Sequence, residues 1–333
     1  LRGGYKKILP LFLELAPVNI VSLLPSATEI VYLLELQDHL VGISHECDFP
    51  AEALNKPAVT NSRINKQQSS QEIDRAVKEL LKNGESLYGL DEQLLCVLRP
   101  DIILTQELCT VCAVSATTVA RVVHNLQFKT EVMNLEPHNL EDIFSNILTV
   151  ADVCGVRDRG MKKIEKLRRR VESVRQTASK ALHHPTVFCM EWVNPPFAAG
   201  HWNPELAEIA GGRDMLSKKN VPSREVSWDE LIAFDPEKIV LMVCGFDIHR
   251  TVIEMEALSN HSIWNSLKAV RTNEVYIADG NSFFTRPGPR IVDSVEMMAQ
   301  ILHPELFNFR FPSSSVVNIT NIPTLHLQER SAL

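Results

Sequence analysis

The chain has 333 residues, 45% of them hydrophobic, with 34 Lys and Arg against 41 Asp and Glu for a formal charge of −7. That balance argues against nucleic acid or an anionic membrane as the main partner, and no apolar run approaches the ~18 residues of a membrane span. The seven cysteines are odd in number and form no disulfide framework, which points to a reducing compartment.

The first 17 residues read as an N-terminal extension. Lys6 and Lys7 precede an apolar stretch, 8–15, but Pro10 and Glu14 interrupt it and no small-residue cleavage site follows. A cytoplasmic location is therefore expected, or a periplasmic or extracellular one if the N-terminus, which starts at Leu1, is trimmed.

The stretch 19–50 organises the chain. An apolar run, 20–24, meets Pro25-Ser26, and Ser26 or Thr28 can cap a helix starting with Glu29. Ile30, Val31, Leu33 and Leu34 give that helix a buried face. A second apolar run, 40–44, ends in His45-Glu46-Cys47-Asp48. Strand, helix and strand in about 30 residues predict a βαβ unit and a parallel sheet. Residues 55–70 read as a polar connection. Helices are predicted over 71–81, capped by Ser69 or Ser70, over 91–98, and over 119–126, with strands over 102–105 and 129–135.

Asn139 caps the next helix, which Gly155 ends. Met161, Ile164, Leu167, Val171, Val174, Ala178 and Ala181 then mark one long helix over 156–182, roughly 40 Å long at 1.5 Å per residue. Residues 157–175 hold nine Arg or Lys against three Asp or Glu. With no aromatic residues interleaved, this reads as a solvated face rather than a nucleic-acid surface. Strands follow over 186–190, 239–243 and 275–278, with helices over 203–210, 228–234 and 290–302, and 313–333 has the composition of a loose tail. No short repeat or low-complexity tract stands out.

The fold class is α/β: two Rossmann-like lobes with parallel-type sheets, 18–138 and 184–311, joined by a helical connection, 139–183, containing one long rigid helix. Residues 312–333 form the tail, and a monomer is expected. Ligands of open α/β sheets bind at the carboxyl ends of the strands. Lobe one offers Ser26, Thr28, His45, Glu46, Cys47, Asp48, Cys109 and Cys112 there; lobe two offers Glu191, Trp192, Phe197, His201, Trp202, Phe246, Asp247, Phe283, Phe284 and Arg286. This is an aromatic-walled set with a few polar groups. Its soft donors, His45, Cys47, Cys109, Cys112 and His201, could hold a transition metal or ligate a bound cobalt.

The segments VSLLPSATEIVYLLEL, HECDFP, DIILTQELCTVCAVS, NPPFAAGHWNPELAEIAGG, VSWDELIAFDPEKIVL and FFTRPGPRIVDS together resemble the cobalamin and iron-chelate substrate-binding proteins of ABC transporters, over roughly residues 18–305. The resemblance implies two lobes bridged by a rigid helix, a cobalamin-like corrinoid in the cleft, and an ABC permease as partner. In that family a carboxylate on each lobe docks onto permease arginines. Glu29 matches the first, and Asp229 or Glu230 the second. HECD and CxxC stand where bacterial cobalamin binders carry Tyr or Trp. A metal ion or iron chelate is the alternative ligand. No G-x-S-x-G, Walker A or G-x-G-x-x-G pattern supports an enzyme, and a corrinoid-processing or hydrolytic activity is the alternative from another class.

Overall fold

The computed structural model describes residues 18–106, 114 and 116–322. Lobe one is built on a four-stranded parallel sheet in the order Leu40–Gly42, Ile20–Ser22, Ile102–Thr105, Glu131–Asn134. Ile20–Ser22 and Ile102–Thr105 are buried throughout, as expected of strands covered by helices on both faces. Lobe two has six strands, in the order Val316–Asn318, Val275–Ala278, Lys238–Leu241, Val187–Trp192, Phe197–Ala198, Arg224–Glu225. Its middle three are parallel and the outer ones antiparallel. The mixed α/β architecture with a long connecting helix is the one expected.

The connecting helix runs Arg157–Ala178, 22 residues or about 33 Å, and is shorter than predicted at both ends. Its buried stripe is Ile164, Leu167, Val171, Val174 and Ala178. Met161 is 45% exposed, and Ala181 lies beyond the helix. Gly160 lets the preceding helix, Leu140–Val153, approach closely, because a Cβ there would sit 2.5 Å from that of Ala151. The basic face bolts the helix to both lobes. Arg159 donates to the Leu34 carbonyl and Lys163 to Glu35 in lobe one, while Arg170 donates to Glu296 and Asp293 in lobe two. One hydrophobic cluster runs from Ile20 through Ile164 and Val171 to Val187 and Ile291. The lobes therefore share a core across the helix.

Several elements differ from expectation. The first helix is Pro25–Leu33, with Leu24 at its N-cap and no side-chain cap. Proline at the first position lacks only an N–H that would be unpaired anyway, so neither Ser26 nor Thr28 is needed as a cap. The polar connection contains a strand, Thr60–Ser62, paired antiparallel with Tyr88–Leu90. Three-residue strands with little hydrophobicity carry no period to read. Between them lies the helix Ser70–Lys82, closed by a capping box of Ser69 and Glu72. Helices Ile248–Ser259, Ser262–Ser266 and Lys268–Arg271 were not predicted. Val316–Asn318 joins the sheet edge where a loose tail was expected.

Lobes one and two also share a repeated unit. Helix Glu92–Leu98 and helix Trp228–Phe234 each have seven residues, a capping side chain (Asp91, Ser227) and a left-handed residue at the C-cap (Arg99, Asp235). Each is then followed by proline and a central parallel strand. Counted from the caps, Leu95 matches Leu231, Pro100 matches Pro236 and Ile103 matches Ile239, a single distant recurrence rather than a short repeat.

Candidate functional site

The strands of both sheets point their carboxyl ends at a shared cavity of about 440 Å³ between the lobes, within the range of small-molecule sites. Lobe one opens to it at the topological switch point of its sheet. Strand Ile20–Ser22 connects on to one neighbour, Leu40–Gly42, and pairs on its other side with Ile102–Thr105. Ser26 follows the first of these strands and Gln106 the third, and both line the cavity. Lobe two contributes Glu191 and Trp192 at the end of Val187–Trp192, Cys244 to Phe246 beyond Lys238–Leu241, and Asn281 with Thr285 to Pro287 beyond Val275–Ala278.

Seven of the expected residues line this cavity: Ser26, Glu46, Glu191, Trp192, Phe197, Phe246 and Arg286. Trp192 and Phe246 form a tilted pair 5.3 Å apart. The other described ones are placed elsewhere. Thr28 is fully buried and donates to Ser22 Oγ. Cys47 is buried against Thr28 Oγ1, and burial pushes its thiol up to about 11, so it is no thiolate donor. Phe284 is fully buried, and Trp202, 5% exposed, donates its indole N–H to the Phe284 carbonyl. These are packing positions, because the chain turns inward after each motif. Asp247 is exposed and caps helix Ile248–Ser259. Phe283 packs beside the Arg290 guanidinium.

The described members of the expected metal set, His45, Cys47 and His201, do not assemble. His45 Nδ1 lies 2.6 Å from Thr60 Oγ1, and His201 stands beside His138, with ring centres 6.3 Å apart. Burial, then the neighbouring His138, lowers the His201 pKa. Cys109 and Cys112 lie outside the described residues. Among the described residues, no three His, Cys, Asp or Glu side chains come together to hold an ion.

Beside the cavity runs a polar seam. Arg286 forks onto Asp48, with Nη2 donating to Oδ2 at 2.9 Å, and Asn281 donates to the same oxygen at 2.7 Å. Burial pushes the Asp48 carboxyl up, but the Arg286 pair carries it below the ordinary carboxylate range. Arg290 forks onto Glu29 at 2.7 and 3.1 Å and lies 4.0 Å from the Phe49 ring centre. Glu29 is only 4% exposed. A carboxylate buried against two arginines of its own chain is not presented to a partner, which corrects its expected docking role. Asp229 and Glu230 are exposed, and Glu230 pairs with Arg224.

Around the cavity rim the charges neutralise one another. Glu46 lies 3.0 Å from His45 Nε2 and also holds Lys66. Burial alone would raise its pKa, but His45 and Lys66 carry it down to about 2. Lys78 pairs with Asp74 at 2.8 Å. Among the described residues, each lining cation, Lys66, Lys78 and Arg286, is thus held by a carboxylate of the chain.

Sequence reasoning missed one whole wall. Ile73, Asp74, Val77, Lys78 and Leu81 line the cavity from helix Ser70–Lys82, with Ile64, Lys66, Leu87 and Tyr88 from its flanks. The spacing of Ile73, Val77 and Leu81 marks an apolar face, but spacing alone does not tell a core face from a cleft wall. Cys244 also follows a predicted strand directly and had the same positional signal as Phe246.

Residues 20–281 match the profile of the family described as periplasmic binding protein. The chain is 24% identical over 292 residues to the vitamin B12-binding protein of Vibrio cholerae, covering 85% of this chain and 88% of that protein. The structure of the Vibrio cholerae periplasmic vitamin B12 binding protein is similar with a TM-score of 0.63 and 22% identity, over 86% of this chain and 96% of that one. A periplasmic heme binding protein of Pseudomonas aeruginosa is similar with a TM-score of 0.68 and 19% identity, over 89% and 96%. These structures establish the fold.

Proposed function

The chain belongs to the periplasmic binding protein family, and on that premise we propose that its inter-lobe cleft binds a cobalamin-like corrinoid for delivery to an ABC permease. The observation that carries this choice is the charge pattern around an apolar bowl. Heme presents two free carboxylates, which unpaired cations at the rim would favour. A corrin disc is rimmed by neutral amides, which accept and donate hydrogen bonds without demanding a counter-charge. Here Lys66, Lys78 and Arg286 are already paired with Glu46, Asp74 and Asp48. Trp192, Phe197 and Phe246 supply the flat apolar wall that such a disc stacks on.

The role is binding and delivery rather than turnover. Docking in lobe two is assigned to the exposed Asp229 and Glu230 at the start of helix Trp228–Phe234. Counted from the caps Ser227 and Asp91, the same positions of lobe one hold Gln93 and Leu94, so the repeated unit offers no acid there in place of the buried Glu29. The similar proteins are periplasmic by name, so we place the chain outside the cytoplasm. The cytoplasmic location expected from the N-terminal pattern has no support among them.

Calorimetric titration with cyanocobalamin, aquocobalamin, hemin and divalent metal ions tests the reading. Saturable heat with a corrinoid at one site supports it. Binding of hemin alone, or of metal ions alone, replaces it with the corresponding ligand.

A further inference from the structure

The helix Ser70–Lys82 belongs to lobe one by sequence but leans on lobe two. It is carried on the short antiparallel ribbon Thr60–Ser62 with Tyr88–Leu90, which is tied to lobe one by Val59 N donating to the Ile43 carbonyl and His45 N donating to Thr60 Oγ1. The ribbon anchors the base of the helix, and the position of its apolar face is set by what it rests on. Ile73, 7% exposed, sits in the lobe-two hydrophobic cluster with Val193 and Phe246, and Ile64 and Val77 pack against the same cluster.

Its N-terminus is fastened by a buried acid. Glu254, 6% exposed, accepts from Ser70 N at 3.2 Å and from Ser70 Oγ at 2.6 Å. A carboxylate there satisfies an orphan helix N–H and complements the helix dipole. Arg250 pairs with the same carboxylate at 2.6 Å and also donates to the Gln68 carbonyl. The fastening is wired to the aromatic wall. The Arg250 guanidinium lies 4.4 Å from the Phe246 ring centre, and Trp192 donates its indole N–H to the Ser70 carbonyl at 3.3 Å. The two rings that face the cavity thus touch the two groups that hold the helix down.

We propose that helix Ser70–Lys82 is a hinged wall of the site, a strap latched to lobe two through Glu254, and that ligand enters and leaves by its release. The shared core across helix Arg157–Ala178 holds the lobes at a fixed spacing, so the moving part is this strap and not a lobe. Val77 and Leu81 are then ligand contacts present only in the latched state. A disc stacked on Trp192 and Phe246 favours latching, because it stiffens the rings that Arg250 and Ser70 rest on. The proposal rests on the cleft being the ligand site, but its first test needs no ligand.

Amide hydrogen exchange on the ligand-free chain is the measurement. Glu254→Ala is expected to speed exchange of the 70–82 amides about tenfold or more while Ile102–Thr105 keeps its protection. Ser70→Ala, which removes only the hydroxyl, is expected to do the same more weakly. Unchanged exchange in both variants overturns the latch, and so does a rise spread evenly over both sheets. Stopped-flow mixing with cyanocobalamin is the second arm. A gate raises association and dissociation rates together in Glu254→Ala, whereas a faster dissociation alone overturns gating. If the wild-type chain takes up no cyanocobalamin, the corrinoid reading falls, and the exchange result still decides the strap.

Discussion

Two adjacent patches of the inter-lobe face are built on opposite principles. The seam is made of charge: Glu29, Arg290, Arg286 and Asp48 interlock with little exposure of Glu29 or Arg286. The bowl beside it is made of apolar surface, with charges confined to pairs at its rim. Both draw on segments that follow strands of the two main sheets, the bowl adding a wall from helix Ser70–Lys82, and Arg286 stands on the boundary of the two. The difference separates two tasks. Buried forks fix geometry because each partner left alone would be a stranded charge. An apolar bowl fixes nothing by itself and is free to take an apolar guest.

The largest break in this comparison is on the seam side. Glu29→Ala leaves Arg290 and Arg286 facing each other and is expected to cost about 3–5 kcal/mol in urea unfolding. A loss below ~1 kcal/mol would show that the seam does not hold the lobes. On the bowl side, Trp192→Ala is expected to weaken cyanocobalamin binding about 10- to 100-fold by calorimetry. Unaltered affinity would place the ligand elsewhere.

The rim sharpens the comparison. Glu46→Gln releases Lys66 from its counter-ion, and hemin affinity should rise several-fold relative to cyanocobalamin in a paired titration. The same variant has a signature in acid. Because folding lowers the Glu46 pKa from 4.5 to about 2, its carboxylate contributes stability that is fully present above the ordinary value and is lost as pH falls toward 2. Unfolding free energy measured from pH 5 to 2.5 should therefore fall less steeply in Glu46→Gln than in wild type. The smallest effect lies outside both patches. Ser227→Ala removes one half of a capping box and is expected to cost about 1 kcal/mol, with cyanocobalamin affinity untouched.

The alternation of strand and helix was legible because each carries its own period. The strands Ile102–Thr105 and Val275–Ala278 and the caps Ser69, Asn139 and Ser227 stand where the residues placed them. The ribbon Thr60–Ser62 and the edge strand Val316–Asn318 were not legible, since three residues in a polar context hold no pattern. The site was half legible for a related reason. Strand-end position identified Ser26, Glu46, Trp192 and Phe246, but it gave the same weight to Thr28, Cys47, Trp202 and Phe284, which turn into the core.

What the chain specifies locally is where each strand stops and that polar and aromatic groups gather at those stops, because periodicity, caps and prolines act within a few residues. Which of those groups face an open cavity was decided only by the assembled lobes. The contrast is sharpest between two pairs. Glu29 and Arg290 lie 261 residues apart, and Ser70 and Glu254 lie 184 apart. Nothing near either member announces its partner, since a buried fork or latch depends on two helices distant in the chain being brought to one place.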